Sequence, residues 1–317
     1  MKPPVATIPG VTHHEARVDG VTLHYVSAGT AGSPILLVHG FPETWWAFHR
    51  VIPLLARTHR VFAVDLPGLG DSSDDDWSKD DASNAGGDYG SAAASESLLG
   101  LIEQLDVGPV HLTGQDFAGA TVFRMAATHP RHVRSLTAIE TGLPGFGLER
   151  LADVAQGGAW YIGVLVTAGI PELLLAGRER AFMSDFVFPA MTRVPGAVSD
   201  ADLDEFARTY SRPNGYRGAA GLYRSLLGEG AEIRALADSA RLTMPVLAIG
   251  GAGGGSTHAT MSRVTSSDVE SVELDGVGHY VALEAPERLS SALLDFLKRV
   301  DLGRAVGDVP EEIPLPS

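Results

Sequence analysis

Apolar residues along this chain fall alternately into short continuous runs and into stretches with helical spacing. Arg17 to Ser27 alternates around Asp19-Gly20 as a hairpin does, and Pro34 to His39 is an apolar run that fits a buried central strand. Thr44 to Arg57 has helical spacing, Val61 to Asp65 reads as the next strand, and Ala92 to Leu105 as an amphipathic helix. A strand over Val110 to Thr113, a helix from Ala118 to His129 and a strand from Val133 to Glu140 continue the alternation. This order predicts an α/β fold with a mostly parallel central sheet and helices on both faces. After Leu143 the pattern turns helical and irregular, and no clear strand returns before Met244. Pro245 to Gly250 and Val269 to Leu274 then read as strands, and Pro286 to Val300 as a closing helix. The expected organisation is a core of residues 1–142 and 240–303, interrupted by a helical cap over 143–239. The proline-bearing segment 304–317 is expected to be a disordered tail.

Composition narrows the partners. With 317 residues, 44% hydrophobic and 20% charged, the chain can bury one large core with an insertion, or two domains. Its net charge of −15, with lysine only at Lys2, Lys79 and Lys298, argues against nucleic acid or an anionic membrane surface as partner. Cysteine is absent, so there is neither a disulfide framework nor a thiolate metal site. Met1 to Glu15 lacks the apolar core of a signal peptide, which gives a cytoplasmic reading and leaves secretion open. Ala159 to Gly177 is the most apolar stretch, but Pro171 and Glu172 interrupt it and a spanning helix needs about 20 mostly apolar residues. It is expected to be a buried or tunnel-lining helical segment, without membrane insertion. Asp71 to Gly90 reads as an exposed loop in which Asp74, Asp75 and Asp76 form a solvated charge run rather than a metal site.

One segment changes the picture. Gly114-Gln115-Asp116-Phe117-Ala118-Gly119 lies where a strand gives way to a helix, with glycine two residues before and three after an aspartate. That spacing is a nucleophile elbow, a tight turn in which a Cβ at either glycine would clash. A carboxylate, with an unperturbed pKa of about 3.9, is ionised at neutral pH and attacks an sp³ carbon directly, leaving an alkyl ester on the enzyme. The substrates this suggests are epoxides, alkyl halides and activated haloacids. Hydrolysing the ester calls for a base, and of the eleven histidines His279 is the best placed, in a glycine-rich loop after the last strand. A carboxylate should orient that imidazole. Pro245 to Ser267 contains no Asp or Glu and Asp268 falls at the wrong end of the sheet, which leaves Glu140, at the end of the strand after the elbow helix. The amides of Phe117 and of Phe41, in His39-Gly40-Phe41-Pro42, are the candidate oxyanion donors, with His39 supporting that loop. Gly250 to Thr257 has the glycines of a phosphate-binding loop but a serine where the lysine is required. An epoxide also needs a proton donor for the departing alkoxide, and among the cap tyrosines Tyr161, Tyr210, Tyr216 and Tyr223, the first and last lie in helical stretches able to face the pocket.

Several of these motifs together, His39-Gly40-Phe41-Pro42-Glu43-Thr44-Trp45, Asp65-Leu66-Pro67-Gly68-Leu69-Gly70-Asp71-Ser72, the elbow at Asp116 and Gly278-His279, resemble the epoxide hydrolases of the α/β-hydrolase superfamily up to about Val300. Glu140, Leu143-Pro144-Gly145, Ala176-Gly177-Arg178-Glu179-Arg180 and Tyr223-Arg224 are most similar to the Cif-like bacterial epoxide hydrolases. The resemblance implies an α/β-hydrolase fold with a cap, a nucleophilic Asp, an acid after the sixth strand, a late His, and a His/Tyr ring-opening pair in the cap. Tyr223 matches the tyrosine of that pair. Tyr161 meets the histidine position only across a one-residue gap, and two tyrosines would be the arrangement of ordinary epoxide hydrolases. Haloalkane dehalogenases share the Asp but typically follow it with a tryptophan, where this chain has Phe117. Fluoroacetate-type enzymes carry arginines beside the nucleophile, and Gln115, Phe117 and Ala118 supply none. A catalytically silent ligand-binding protein is the third reading. The function expected is hydrolysis of a small lipophilic epoxide to a diol, without a cofactor. The oligomeric state stays open, a homodimer included.

Overall fold

The computed structural model describes residues 5–74 and 89–307. Among the described residues nine strands form one sheet: β1 (Thr12–Val18), β2 (Val21–Ala28), β3 (Pro34–Val38), β4 (Arg60–Val64), β5 (Ser73–Asp74), β6 (Val110–Gln115), β7 (Val133–Ile139), β8 (Val246–Gly250) and β9 (Glu270–Glu273). Their order is β1-β2-β4-β3-β6-β7-β8-β9, with β5 pairing on β2. The hairpin β1-β2 and its pairing with β4 are antiparallel, whereas β4, β3, β6, β7, β8 and β9 run parallel. β3, β6 and β8 are buried at every residue, which explains why β3 and β8 read as unbroken apolar runs rather than alternations. The parallel strands deliver their following residues to one edge of the sheet: His39 after β3, Asp65 after β4, Asp116 after β6 and Glu140 after β7.

Between β7 and β8 the described chain holds no strand. Helices Trp160–Val166, Ile170–Leu175, Glu179–Phe182, Phe188–Met191, Asp200–Tyr210, Arg217–Gly228 and Gly230–Ser239 make up the cap. Polar bridges tie it to the core. Arg208 holds both oxygens of Asp71, at 3.0 and 2.5 Å, while the Trp46 indole and Arg50 donate to Asp202 at 2.9 and 3.0 Å.

The sequence pattern misplaces some elements. Thr44 to Arg57 is two pieces, a 3₁₀ turn at Trp45–Phe48 and a helix at Ile52–Leu55. Pro53 has no N–H to continue the first and fits only the opening turn of the second. Gly254–Val264 is a helix that begins inside the glycine-rich loop. Ala159 to Gly177 splits: Ala159 to Ile162 lines a cavity, but Leu173 and Leu174 point to solvent, at 75% and 45% exposure. The expected loop from Asp71 is anchored at both ends, with Ser72 and Tyr89 buried and Ser73–Asp74 paired to β2. Asp75 and Asp76 lie outside the described residues. The closing helix runs over Pro286–Gly307, so residues 304–307 are helix rather than tail, and 308–317 also lie outside the described residues.

Candidate active site

Asp116 stands at the crest of the turn between β6 and the helix Ala118–Thr128, with φ +53, in the left-handed region that side chains other than glycine rarely adopt. Its backbone is pinned on both sides: the N–H donates to Ile139 at 3.1 Å, and the carbonyl accepts from the Gly119 amide at 3.0 Å and the Thr141 hydroxyl at 2.5 Å. A Cβ at Gly119 would come within 1.8 Å of the Thr141 hydroxyl, and one at Gly40 within 2.5 Å of the Asp116 Cβ, so both glycines are required by close approach. The reward for Gly40 is a short hydrogen bond: the Phe41 amide donates to Asp116 Oδ2 at 2.9 Å. His39, fully buried, accepts from the Leu66 amide at 3.2 Å with one ring nitrogen and lies 2.9 Å from the Gly40 carbonyl with the other, which ties the loop to the segment after β4. The Phe117 residue opens the elbow helix, its ring against those of Phe41 and Tyr223.

Glu140 also has a left-handed backbone, φ +46. Its Oε1 accepts from the amides of Gly251 and Gly253 at 2.7 and 2.8 Å, and its Oε2 lies 3.3 Å from His279 Nδ1. The glycine-rich segment after β8 thus serves as a cradle for a carboxylate that comes from β7. On the far side of the ring, His279 Nε2 is 3.5 Å from Asp116 Oδ1. Burial disfavours a charged imidazole here, but the two flanking carboxylates, Asp116 and Glu140, outweigh it and raise the His279 pKa from 6.5 to about 10.

A cavity of about 620 Å³ opens onto this trio, lined mainly by apolar residues of the cap such as Phe146, Leu148, Leu151, Phe186 and Met191. Of the four cap tyrosines the sequence offered, Tyr161 and Tyr223 line it; Tyr210 and Tyr216 are buried elsewhere, with hydroxyls lacking a partner. The Tyr161 and Tyr223 rings sit 6.3 Å apart near the Phe41 ring, and their hydroxyls interact with each other. Burial, reinforced by the Asp116 charge, pushes Tyr161 up to about 12; burial and then the neighbouring Tyr161 push Tyr223 well above 10. Both phenols therefore keep their protons across the neutral range.

One site residue escaped the sequence reading. Glu43 is fully buried beside the trio, accepting from Gln115 Nε2 at 3.0 Å and from the Gly40 amide at 3.3 Å through one oxygen while the other has no partner. Desolvation raises its pKa to about 8, so near neutrality it adds little negative charge behind Asp116. The available signal was its place in His39-Gly40-Phe41-Pro42-Glu43; an acid inside that buried loop had to be accommodated somewhere.

Fold and geometry together define an α/β hydrolase with an aspartate at the elbow, and residues 33–286 match the family model described as the alpha/beta hydrolase fold. The chain belongs to that family. Within it, the chain is 28% identical over 297 residues to the soluble epoxide hydrolase of Corynebacterium sp. (strain C12), covering 90% of this chain and 97% of that one. Among solved structures it is similar to Cfl2 from Burkholderia cenocepacia, with TM-score 0.79, 30% identity, and coverage of 93% of this chain and 99% of that chain. It is likewise similar to the Cif epoxide hydrolase from Acinetobacter nosocomialis, with TM-score 0.81, 25% identity, and coverage of 92% and 90%. Among the described residues no helix is long and apolar enough to cross a membrane.

Proposed function

We propose that this protein hydrolyses an epoxide to a vicinal diol through an alkyl ester on Asp116. The observation that carries the reading is the convergence, in one largely apolar cavity, of Asp116, His279 and the protonated phenols of Tyr161 and Tyr223. Asp116 Oδ2 accepts from the Phe41 amide, and Oδ1, 3.5 Å from His279 Nε2, is the oxygen that attacks. As Oδ1 bonds to one ring carbon, the carbon–oxygen bond of the ring breaks and the departing alkoxide takes a proton from one of the tyrosines. Esterification removes the Asp116 charge, and with it one of the two carboxylates that keep His279 protonated. The ring then yields its proton, which restores the tyrosine, and becomes the base that the second step needs. His279, oriented by Glu140, accepts a proton from water; the resulting hydroxide adds to the ester carbonyl, with the oxyanion held by the Phe41 and Phe117 amides. Collapse breaks the bond between the acyl carbon and the substrate oxygen; the leaving alkoxide takes the proton that the added hydroxide carried, which releases the diol and restores the Asp116 carboxylate beside protonated His279. The apolar walls favour a small lipophilic epoxide.

The test is turnover of an aromatic epoxide, an aliphatic epoxide, a haloalkane and fluoroacetate by the wild type and by Asp116→Asn. The reading requires diol from an epoxide in the wild type and none in the variant. Halide release without diol formation would move the assignment to dehalogenation, and turnover of none of the four would favour a silent binding protein.

A further inference from the structure

A buried carboxylate, Glu284, helps to dock the segment that carries His279 onto the cap. Glu284 ends the short helix Val281–Glu284 directly after the histidine loop, and its side chain turns back to accept four backbone amides. Two belong to the residues flanking His279: Gly278 at 2.9 Å and Tyr280 at 3.1 Å. The other two belong to the cap segment after Phe188–Met191: Arg193 at 2.7 Å and Val194 at 3.0 Å. The His279 amide itself donates to the Met191 carbonyl at 2.9 Å. These segments meet so closely at Gly278 that a Cβ there would fall 2.2 Å from the Met191 carbonyl oxygen and 2.6 Å from Glu284 Oε1. Arg50 closes the seam from the core side, donating to the carbonyls of Leu283 and Ala197 at 3.2 and 2.9 Å. Four amides on one carboxyl group form a directional set, and among the described residues no other side chain accepts from both the Gly278 and the Tyr280 amides.

We propose that Glu284 is a positioning residue: by holding Gly278 and Tyr280 against the cap it sets the His279 ring between Asp116 and Glu140, and it serves the ester-hydrolysis half of the reaction and not ring opening. The inference rests on the epoxide hydrolase reading. Val187, Ala190 and Met191 of the neighbouring cap segment line the cavity, so Glu284 links the loop of the base to that segment.

Glu284→Gln keeps the shape but turns an NH₂ toward amide donors, and Glu284→Asp keeps the charge but shortens the reach. Single-turnover mixing of each with an epoxide, quenched for intact mass, separates the two steps. The expected result is ester formation within about threefold of wild type and ester hydrolysis slowed on the order of a hundredfold in Glu284→Gln, the cost of displacing a reacting group by about 1 Å, with Glu284→Asp between the two. Equal slowing of both steps, or no accumulation of ester, would overturn the proposal. If the wild type forms no ester with any epoxide, the reading of the site fails instead, and Glu284 is judged by NMR titration of His279. A titration point lowered in Glu284→Gln supports positioning, and an unchanged one refutes it.

Discussion

The charge state of His279 is the point at which the account is most exposed. Its pKa stands at about 10 rather than 6.5 because Asp116 and Glu140 flank it. At about 1.36 kcal/mol per tenfold change in proton affinity, that displacement is worth about 5 kcal/mol net of the burial that opposes it. The histidine side chain is only 16% exposed and Asp116 23%, so solvent screens the pair little. Converting Asp116 to asparagine leaves the shape and removes one of the two charges, as esterification would. The imidazole should then titrate lower by on the order of two pH units, toward the range where it works as a base. NMR of histidine-labelled protein reads this directly, with the His279 signal assigned by its loss in His279→Gln. Wild-type His279 should stay protonated through pH 8 to 9, and Asp116→Asn should bring its titration down toward neutrality. A wild-type titration between 6 and 7, or identical values in the two proteins, would refute the argument that ester formation switches the histidine from acid to base.

Three further outcomes are expected. Tyr161→Phe and Tyr223→Phe should each slow ring opening by roughly tenfold to a hundredfold, because the remaining phenol still serves the departing oxygen, and the double variant should lose the roughly hundredfold to ten-thousandfold that a general acid contributes; ester formation measured by stopped mixing checks this. Glu140→Gln, whose carbonyl oxygen can keep the Gly251 and Gly253 amides while its NH₂ replaces the carboxylate oxygen facing His279 Nδ1, should leave ester formation largely intact and slow its hydrolysis, so that the ester accumulates in intact-mass spectra. Glu43 gives a stability prediction: its folded pKa of about 8 lies above the unfolded 4.5, so its contribution is full below about pH 4.5 and is lost as pH rises through about 8. Glu43→Gln should therefore melt higher than wild type at pH 9, with a smaller difference at pH 5, by differential scanning calorimetry.

Much of the site was legible because the parallel strands bring distant segments to one edge. Once Val110 to Thr113 and Val133 to Glu140 are read as neighbouring strands, Asp116 and Glu140 must emerge side by side, and a histidine after the last strand can reach both. The tyrosines were harder. Helical spacing nominated Tyr161 and Tyr223, but it cannot separate a residue facing the cavity from one such as Tyr210, buried 2% exposed against Phe41. The partner of Glu140 was hidden for a different reason: Gly251 and Gly253 contribute only amides, which leave no mark beyond the absence of side chains. Glu43 escaped because a buried carboxyl looks no different in sequence from a solvated one. The split of Thr44 to Arg57 followed from Pro53, which the apolar period alone does not register.

A covalent ester on Asp116 should be trapped by losing the base that hydrolyses it. His279→Gln, mixed with an aromatic or an aliphatic epoxide and analysed by intact mass and peptide mapping, should gain the mass of one whole epoxide on the peptide that contains Asp116. An adduct formed only from a haloalkane or haloacid, an epoxide adduct mapped to another residue, or diol released at the wild-type rate with no adduct would contradict the account.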